Sequence, residues 1–175
     1  MSPDAPRVAL VLPGRAYTVD QPVLAYVAAT ARECGWTIEV VDWNLVGASD
    51  EDVIRPGMEA LRRLPHTGLV VIGKSLGSTL LPVVSELGLP AVWLTPLLDR
   101  ETIRAAAFQH TAPALLVGGT ADTTWDSGVA HATGHEVLEL EGGDHGLVVP
   151  DDAEASARFL LALTVRAKAF FASLA

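Results

Sequence analysis

The sequence predicts an α/β fold, a three-layer α/β/α sandwich around a mainly parallel six-stranded sheet. Three observations carry this. Six short apolar runs alternate with stretches of helical length and helical apolar spacing, the pattern of strands joined by crossover helices. The chain has 175 residues, no internal repeat and no linker-like stretch, so residues 1–175 read as one domain. Hydrophobic residues make up 50% of it, enough for a core without disulfides or a metal.

Each element follows from its local pattern. Val8 to Leu12 is a continuous apolar run closed by Pro13-Gly14, as suits a strand covered on both faces. Gln21 to Glu33 places Leu24, Val27, Ala28 and Ala31 on one helical stripe, and Gly35 can close the helix. Thr37 to Val41 is a β-branched second strand. Asp50 to Leu64 reads as a helix capped by Ser49 or Asp50, with Pro56 requiring either a later start or a kink. Gly68 to Ile72 is the third strand. Leu76 to Leu87 is a helix interrupted by Pro82 and ended by Gly88. Ala91 to Leu94 is the fourth strand, Glu101 to Gln109 a short helix, and Ala114 to Val117 the fifth strand. Asp126 to Thr133 reads as a short helix closed by Gly134. Glu136 to Leu140 is the sixth strand, and Asp152 to Leu174 the terminal helix, with Asp151 or Asp152 as its cap.

Composition narrows the function classes. A formal net charge of −9, with scattered Lys and Arg, argues against a nucleic-acid partner. Every apolar run is shorter than the roughly 18 residues of a membrane span, and Met1 to Arg7 carries no signal-peptide pattern, so a cytoplasmic protein is expected. The single cysteine, Cys34, reads as a small hydrophobe in a helix. No cofactor motif survives inspection. Gly68 to Ser75 spells the phosphate-loop pattern, but its four intervening residues are the strand itself and cannot wrap an anion. His66, His110, His131 and His135 lack the spacing of a zinc set.

In parallel α/β sheets, reactive groups gather outside the carboxyl ends of the strands. The segments that follow the strands here are Pro13-Gly14-Arg15-Ala16-Tyr17, Gly73-Lys74-Ser75-Leu76-Gly77, Gly118-Gly119-Thr120-Ala121-Asp122 and Gly142-Gly143-Asp144-His145-Gly146. The second fits Gly-x-Ser-x-Gly between a strand and a helix, a context that lifts a serine hydroxyl above the sheet beside free helix N–H groups. A serine needs a base, and His145 follows the last strand, whereas His66 and His110 precede strands and so belong to the opposite edge. The base needs an orienting carboxylate. Asp122 is the first choice, with Asp126 and Asp99 as alternatives, while Asp144 is expected to support its own loop. The N–H of Leu76 and one N–H from the first loop, that of Arg15 with Ala16 as the alternative, are the expected oxyanion donors. Tyr17, Trp125 and Leu147 are the candidate pocket walls, Trp93 is expected in the core, and Lys74 is expected to be solvated beside the site.

Together these four segments resemble the α/β-hydrolase superfamily over nearly the whole chain. The resemblance implies Ser75 as nucleophile, Asp122 as acid and His145 as base. It also implies an oxyanion hole from the first-strand loop and the residue after the nucleophile. The sequence departs from the family pattern in showing no counterpart of its two leading antiparallel strands, no room for a lid between the fourth strand and the next helix, and Pro13-Gly14 where His-Gly is usual, so a minimal core is expected. The expected reaction is acyl transfer from a small ester to water, with no cofactor, at a shallow open site. The alternative is a non-catalytic small-molecule binding protein of the same fold, in which Ser75 and His145 would lie apart.

Overall fold

The structure is a computed structural model that describes residues 6–43 and 50–174. Its centre is one six-stranded, all-parallel sheet in the order β2-β1-β3-β4-β5-β6. The strands are β1 (Val8–Leu12), β2 (Thr37–Val40), β3 (Leu69–Lys74), β4 (Ala91–Leu94), β5 (Ala114–Gly119) and β6 (Glu136–Leu140). The helices are α1 (Pro22–Glu33), α2 (Asp50–Arg63), α3 (Leu81–Glu86), α4 (Glu101–Gln109), α5 (Ser127–Ala132) and α6 (Ala153–Ser173). Strands β3, β4 and β5 are buried along their whole length, whereas β2 and β6 lie at the edges and are partly open.

Alternation along the strands divides the core into two layers. Ala9, Val11, Val70, Ile72, Val92, Leu94, Leu115 and Val117 face α1 and α6, which contribute Leu24, Val27, Leu163 and Phe171. Leu10, Leu12, Leu69, Val71, Trp93 and Leu116 face the other layer, where Leu61, Leu81, Ile103 and Ala130 come from α2, α3, α4 and α5. The continuous apolar runs of the sequence are thus strands buried on both sides.

Three differences from the sequence reading have local causes. The segment 76–87 is two pieces, a 3₁₀ turn over Ser75–Leu80 and then α3, with Pro82 in the first turn of α3. Pro82 has no N–H for the carbonyl of Ser78, and Leu81 N–H bonds that carbonyl instead in a tighter turn. Helix α2 begins before Pro56 and runs through it. Gly57, the next residue, is where α2 presses on the 3₁₀ turn, since a Cβ there would lie 2.0 Å from Leu80 Cδ1. Of its two expected caps, Ser49 lies outside the described residues and Asp50 is the first helical residue. Finally, β3 and β5 each run two residues further than expected, and Lys74 is thereby the last, buried residue of β3.

Chain order reverses between β1 and β3: β2 lies on one side of β1, and the remaining strands follow on the other. That switch point opens a crevice at the carboxyl ends of these two strands. The turns carrying Gly14 and Ser75 sit there. Among the described residues no helix is long and apolar enough to cross a membrane.

Candidate active site

The site begins with backbone strain. Ser75 follows the buried strand β3 with φ of 50°, in the left-handed region that costs a residue with a side chain about 1–2 kcal/mol. The flanking glycines make this turn possible through close approach. A Cβ at Gly73 would lie 2.3 Å from the Trp93 ring, and one at Gly77 would lie 2.3 Å from Leu12 O. Trp93 is therefore core, as expected, and it sits directly on the first glycine. Two hydroxyls secure the turn beyond the serine. Ser78 Oγ donates to Ser75 O at 2.6 Å and accepts from Leu97 N–H at 3.1 Å, and Thr79 Oγ1 donates to Leu76 O at 2.8 Å.

His145 Nε2 lies 2.7 Å from Ser75 Oγ, and His145 Nδ1 lies 2.7 Å from Asp122 Oδ2. A carboxylate only accepts, so the Nδ1 proton points at Asp122 and leaves Nε2 free to accept from the serine hydroxyl. Burial is graded across the set: the Asp122 side chain is 1% exposed and that of His145 is 41% exposed. Burial pushes the Asp122 carboxyl up. The hydrogen bonds from His145 and from the Thr124 N–H and hydroxyl outweigh it and hold the carboxyl below the ordinary carboxylate range.

The other acids are placed elsewhere. Asp126 caps α5, its Oδ1 accepting from Val129 N–H at 2.9 Å. Asp99 is exposed. Asp144 Oδ1 accepts from Gly146 N–H at 2.8 Å and Val148 N–H at 3.0 Å and so shapes the loop that presents His145. Among the remaining histidines, His66 contacts Leu61 O and His135 contacts Ala107 O. His110 is packed beside His135, with burial first and that neighbour second lowering its pKa to about 4. His131 lies in the last turn of α5.

The turn after β1 abuts the turn that carries Ser75. Tyr17 N–H bonds Gly14 O, making Arg15 and Ala16 the central residues of a tight turn, and a Cβ on Gly14 would lie 3.3 Å from Ser75 Cβ. Leu76, in the first turn of the 3₁₀ segment, has an N–H that the helical ladder does not use. A cleft of about 350 Å³ lies between the end of the turn after β1, at Tyr17, and the residues that follow His145. It is bounded by Tyr17, Pro22 and Val23 on one side, by Gly146, Leu147 and Val148 after the histidine, and by Ala157 and Leu160 of α6. Tyr17 is half-buried there. Burial raises its phenol pKa, opposed by the Val23 N–H that its oxygen accepts at 3.2 Å.

No family model matches the chain, and no curated protein matches it in sequence. Solved structures do match. Est1E from Butyrivibrio proteoclasticus superposes with a TM-score of 0.74 at 11% identity, over 98% of this chain and 89% of that one. A serine hydrolase without lid from Xanthomonas campestris gives 0.64 at 20%, over 96% and 83%. An esterase of Pyrococcus furiosus gives 0.66 at 14%, over 95% and 82%. The chain has the α/β-hydrolase fold. Within this fold a lid commonly follows the strand equivalent to β4. Here only the short segment 95–100 separates β4 from α4.

Two expectations are corrected. Trp125 is not among the residues that line the cleft. It is 8% exposed, its ring lies over Gly118 on the opposite face of the sheet, and its Nε1–H donates to Glu139 Oε2 at 2.6 Å. Trp125, six residues after the end of β5, folds back onto the glycine that leaves room for its ring. Lys74 is 0% exposed rather than solvated. Two further residues, Thr124 and Thr95, touch the site. Thr124 N–H and Oγ1–H each donate to Asp122 Oδ1 at 2.9 Å, and Thr124 Oγ1 lies 3.2 Å from His145 Nδ1. Its signal was present in the sequence as a hydroxyl residue two places after an aspartate, the spacing of an Asx turn. Thr95, with φ of 43°, meets Lys74 beneath the site.

Proposed function

We propose that this protein is a serine hydrolase that transfers the acyl group of a small ester to water. The observation that carries the reading is the unbroken chain of two 2.7 Å contacts from Ser75 Oγ through the His145 ring to a buried, ionised Asp122. In this reading His145 Nε2 takes the hydroxyl proton as Ser75 Oγ attacks the ester carbonyl. Asp122 stabilises the imidazolium that forms and does not itself become protonated. The oxyanion forms against the Leu76 and Arg15 N–H groups, where one donor is typically worth about 3 kcal/mol. His145 then protonates the departing alcohol. In the second half-reaction it takes a proton from water, whose oxygen attacks the acyl carbon, and Ser75 leaves with that proton.

The cleft gives the substrate preference its direction. Its lining is mainly apolar, through Tyr17, Pro22, Val23, Leu147 and Leu160, with Gln21 and Ser156 as its polar members, and its volume of about 350 Å³ lies at the low end of small-molecule sites. We assign the apolar part of the ester to it, with Tyr17 and Leu147 as walls. The non-catalytic alternative expects the serine and the histidine apart, and a 2.7 Å contact speaks against it. The test is a panel of p-nitrophenyl esters of increasing acyl length, run on the wild type and Ser75→Ala. Wild-type turnover that peaks at a short or medium chain and is lost in the variant supports the reading. No turnover of any member, or equal turnover by the variant, removes it.

A further inference from the structure

We propose that Lys74 is a positioning residue, whose ammonium group fixes the main chain of His145 from beneath and so holds the imidazole between Ser75 and Asp122. The inference rests on the reading of those three residues as a reacting set. Lys74 is the last residue of β3 and precedes Ser75, yet its side chain turns into the interior and is fully buried. Nζ donates to Thr95 Oγ1 at 2.5 Å and to His145 O at 2.7 Å, and it lies 4.9 Å from the centre of the Tyr17 ring. Two acceptors and one aromatic face satisfy the three donors of an ammonium group.

The three partners belong to three different loops. Thr95 follows β4, His145 follows β6 and Tyr17 follows β1. A single cation thus ties the segments after four of the six strands, counting its own. Packing alone does not require this, because an apolar side chain of similar length would fill the space without the cost of burying a charge. What the apolar side chain would lack is the charge-assisted bond to the His145 carbonyl, which is stronger than a neutral one and directional. That carbonyl belongs to the residue whose ring must meet two partners at once. The ionisable groups that face the ammonium are Asp122 and Asp144, which favour its charge, together with Tyr17 and His145 themselves.

Lys74→Met keeps the length and removes the donors. Three readouts decide the matter: kcat and KM for a short p-nitrophenyl ester, the downfield proton resonance of His145 Nδ1, and thermal unfolding. The expected result is a fall in kcat of about 10- to 100-fold, the size of effect that a misplaced catalytic group of order 1 Å produces. KM should change by less than about threefold, and the Nδ1 resonance should broaden or disappear while the protein stays folded. Wild-type kcat and an unchanged Nδ1 resonance would overturn the proposal. Should Lys74→Met not fold, Thr95→Val removes one acceptor and frees Nζ. It should lower kcat by a smaller factor and shift the same resonance, and wild-type values for both would overturn the proposal. The resonance needs no turnover. If wild-type protein hydrolyses nothing, the enzyme reading fails on its own, and the effect of Lys74→Met on the Nδ1 proton still decides the role of Lys74.

Discussion

Gly119→Ala tests whether Asp122 and His145 are held together by backbone contact. Gly119 is the last residue of β5 and pairs in register with Leu140 of β6. A Cβ at this position would lie 2.2 Å from Gly143 O and 2.6 Å from Gly143 C. Backbone cannot rotate away as a side chain can, so the two segments must separate by about 1 Å to restore ordinary contact. The Gly143 carbonyl also accepts from Ala121 N–H at 2.9 Å, a bond that the same separation strains. If the Gly143 segment moves it carries His145 with it, and if Gly119 moves it carries Asp122. Either way the 2.7 Å contact between Nδ1 and Oδ2 lengthens. A displacement of this size costs on the order of 100-fold in rate. Overpacking costs about 1–3 kcal/mol of stability, which in a chain of this length lowers the melting temperature by roughly 2–12 °C. The assay is kcat/KM at 25 °C, where the variant stays folded, together with a thermal melt followed by circular dichroism. A variant with wild-type kcat/KM and an unchanged melt would refute the reasoning, because it would mean that the two loops do not meet at Gly119.

The two carboxylates considered for the acid are expected to separate cleanly. Asp122→Asn should lower kcat by about 10⁴-fold, through the wrong imidazole tautomer, with little loss of stability. Asp126→Ala should keep activity and lose about 1 kcal/mol of stability as α5 loses its cap. Steady-state kinetics and urea unfolding of both variants check this, and a reversal of the two outcomes would reassign the acid. Burial first, opposed by the attraction of Asp122 and Asp144, lowers the Lys74 pKa from 10.5 to about 8. Below pH 8 the amine is charged in both the folded and the unfolded chain, and the fold carries the full burial penalty. Between pH 8 and 10.5 the unfolded chain binds the proton more, so the contribution of this group to unfolding free energy rises with pH by about 3 kcal/mol. Lys74→Met should abolish that rise. Urea unfolding of wild type and variant at pH 7 and pH 10 reads the difference, and identical pH trends in both would contradict it.

The legible and illegible parts of the molecule differ by the range of the interactions that set them. The run Leu69 to Ile72 has a continuous apolar pattern because β3 is central and covered on both faces, and that fact is local to the run. The convergence of Ser75, Asp122 and His145 was also legible, because all three follow strands and a parallel sheet brings all strand ends to one edge. Lys74 was not. A lysine at the end of an apolar strand ordinarily reaches solvent, and its burial depends on Thr95 and His145, which lie 21 and 71 residues away in the chain. Trp125 was misread for a similar reason, since its direction is set by Gly118 beneath it and by Glu139 on β6. The division of segment 75–86 into a 3₁₀ turn and a helix was foreshadowed by Pro82. The tighter winding before it has the Leu81 N–H on the Ser78 carbonyl that Pro82 cannot serve, and the Ser78 and Thr79 hydroxyls bind carbonyls of the same turn.

Covalent capture of Ser75 tests the enzyme reading most directly. A fluorophosphonate ester is attacked at phosphorus by the serine oxygen, fluoride leaves, and His145 receives the hydroxyl proton, so labelling requires an activated nucleophile and no matched substrate. Intact-mass and peptide analysis should find a single adduct on the peptide containing Ser75 in the wild type and none in Ser75→Ala. A folded wild-type protein that takes up no label, or a variant that labels as fully, would contradict the assignment of Ser75 as nucleophile.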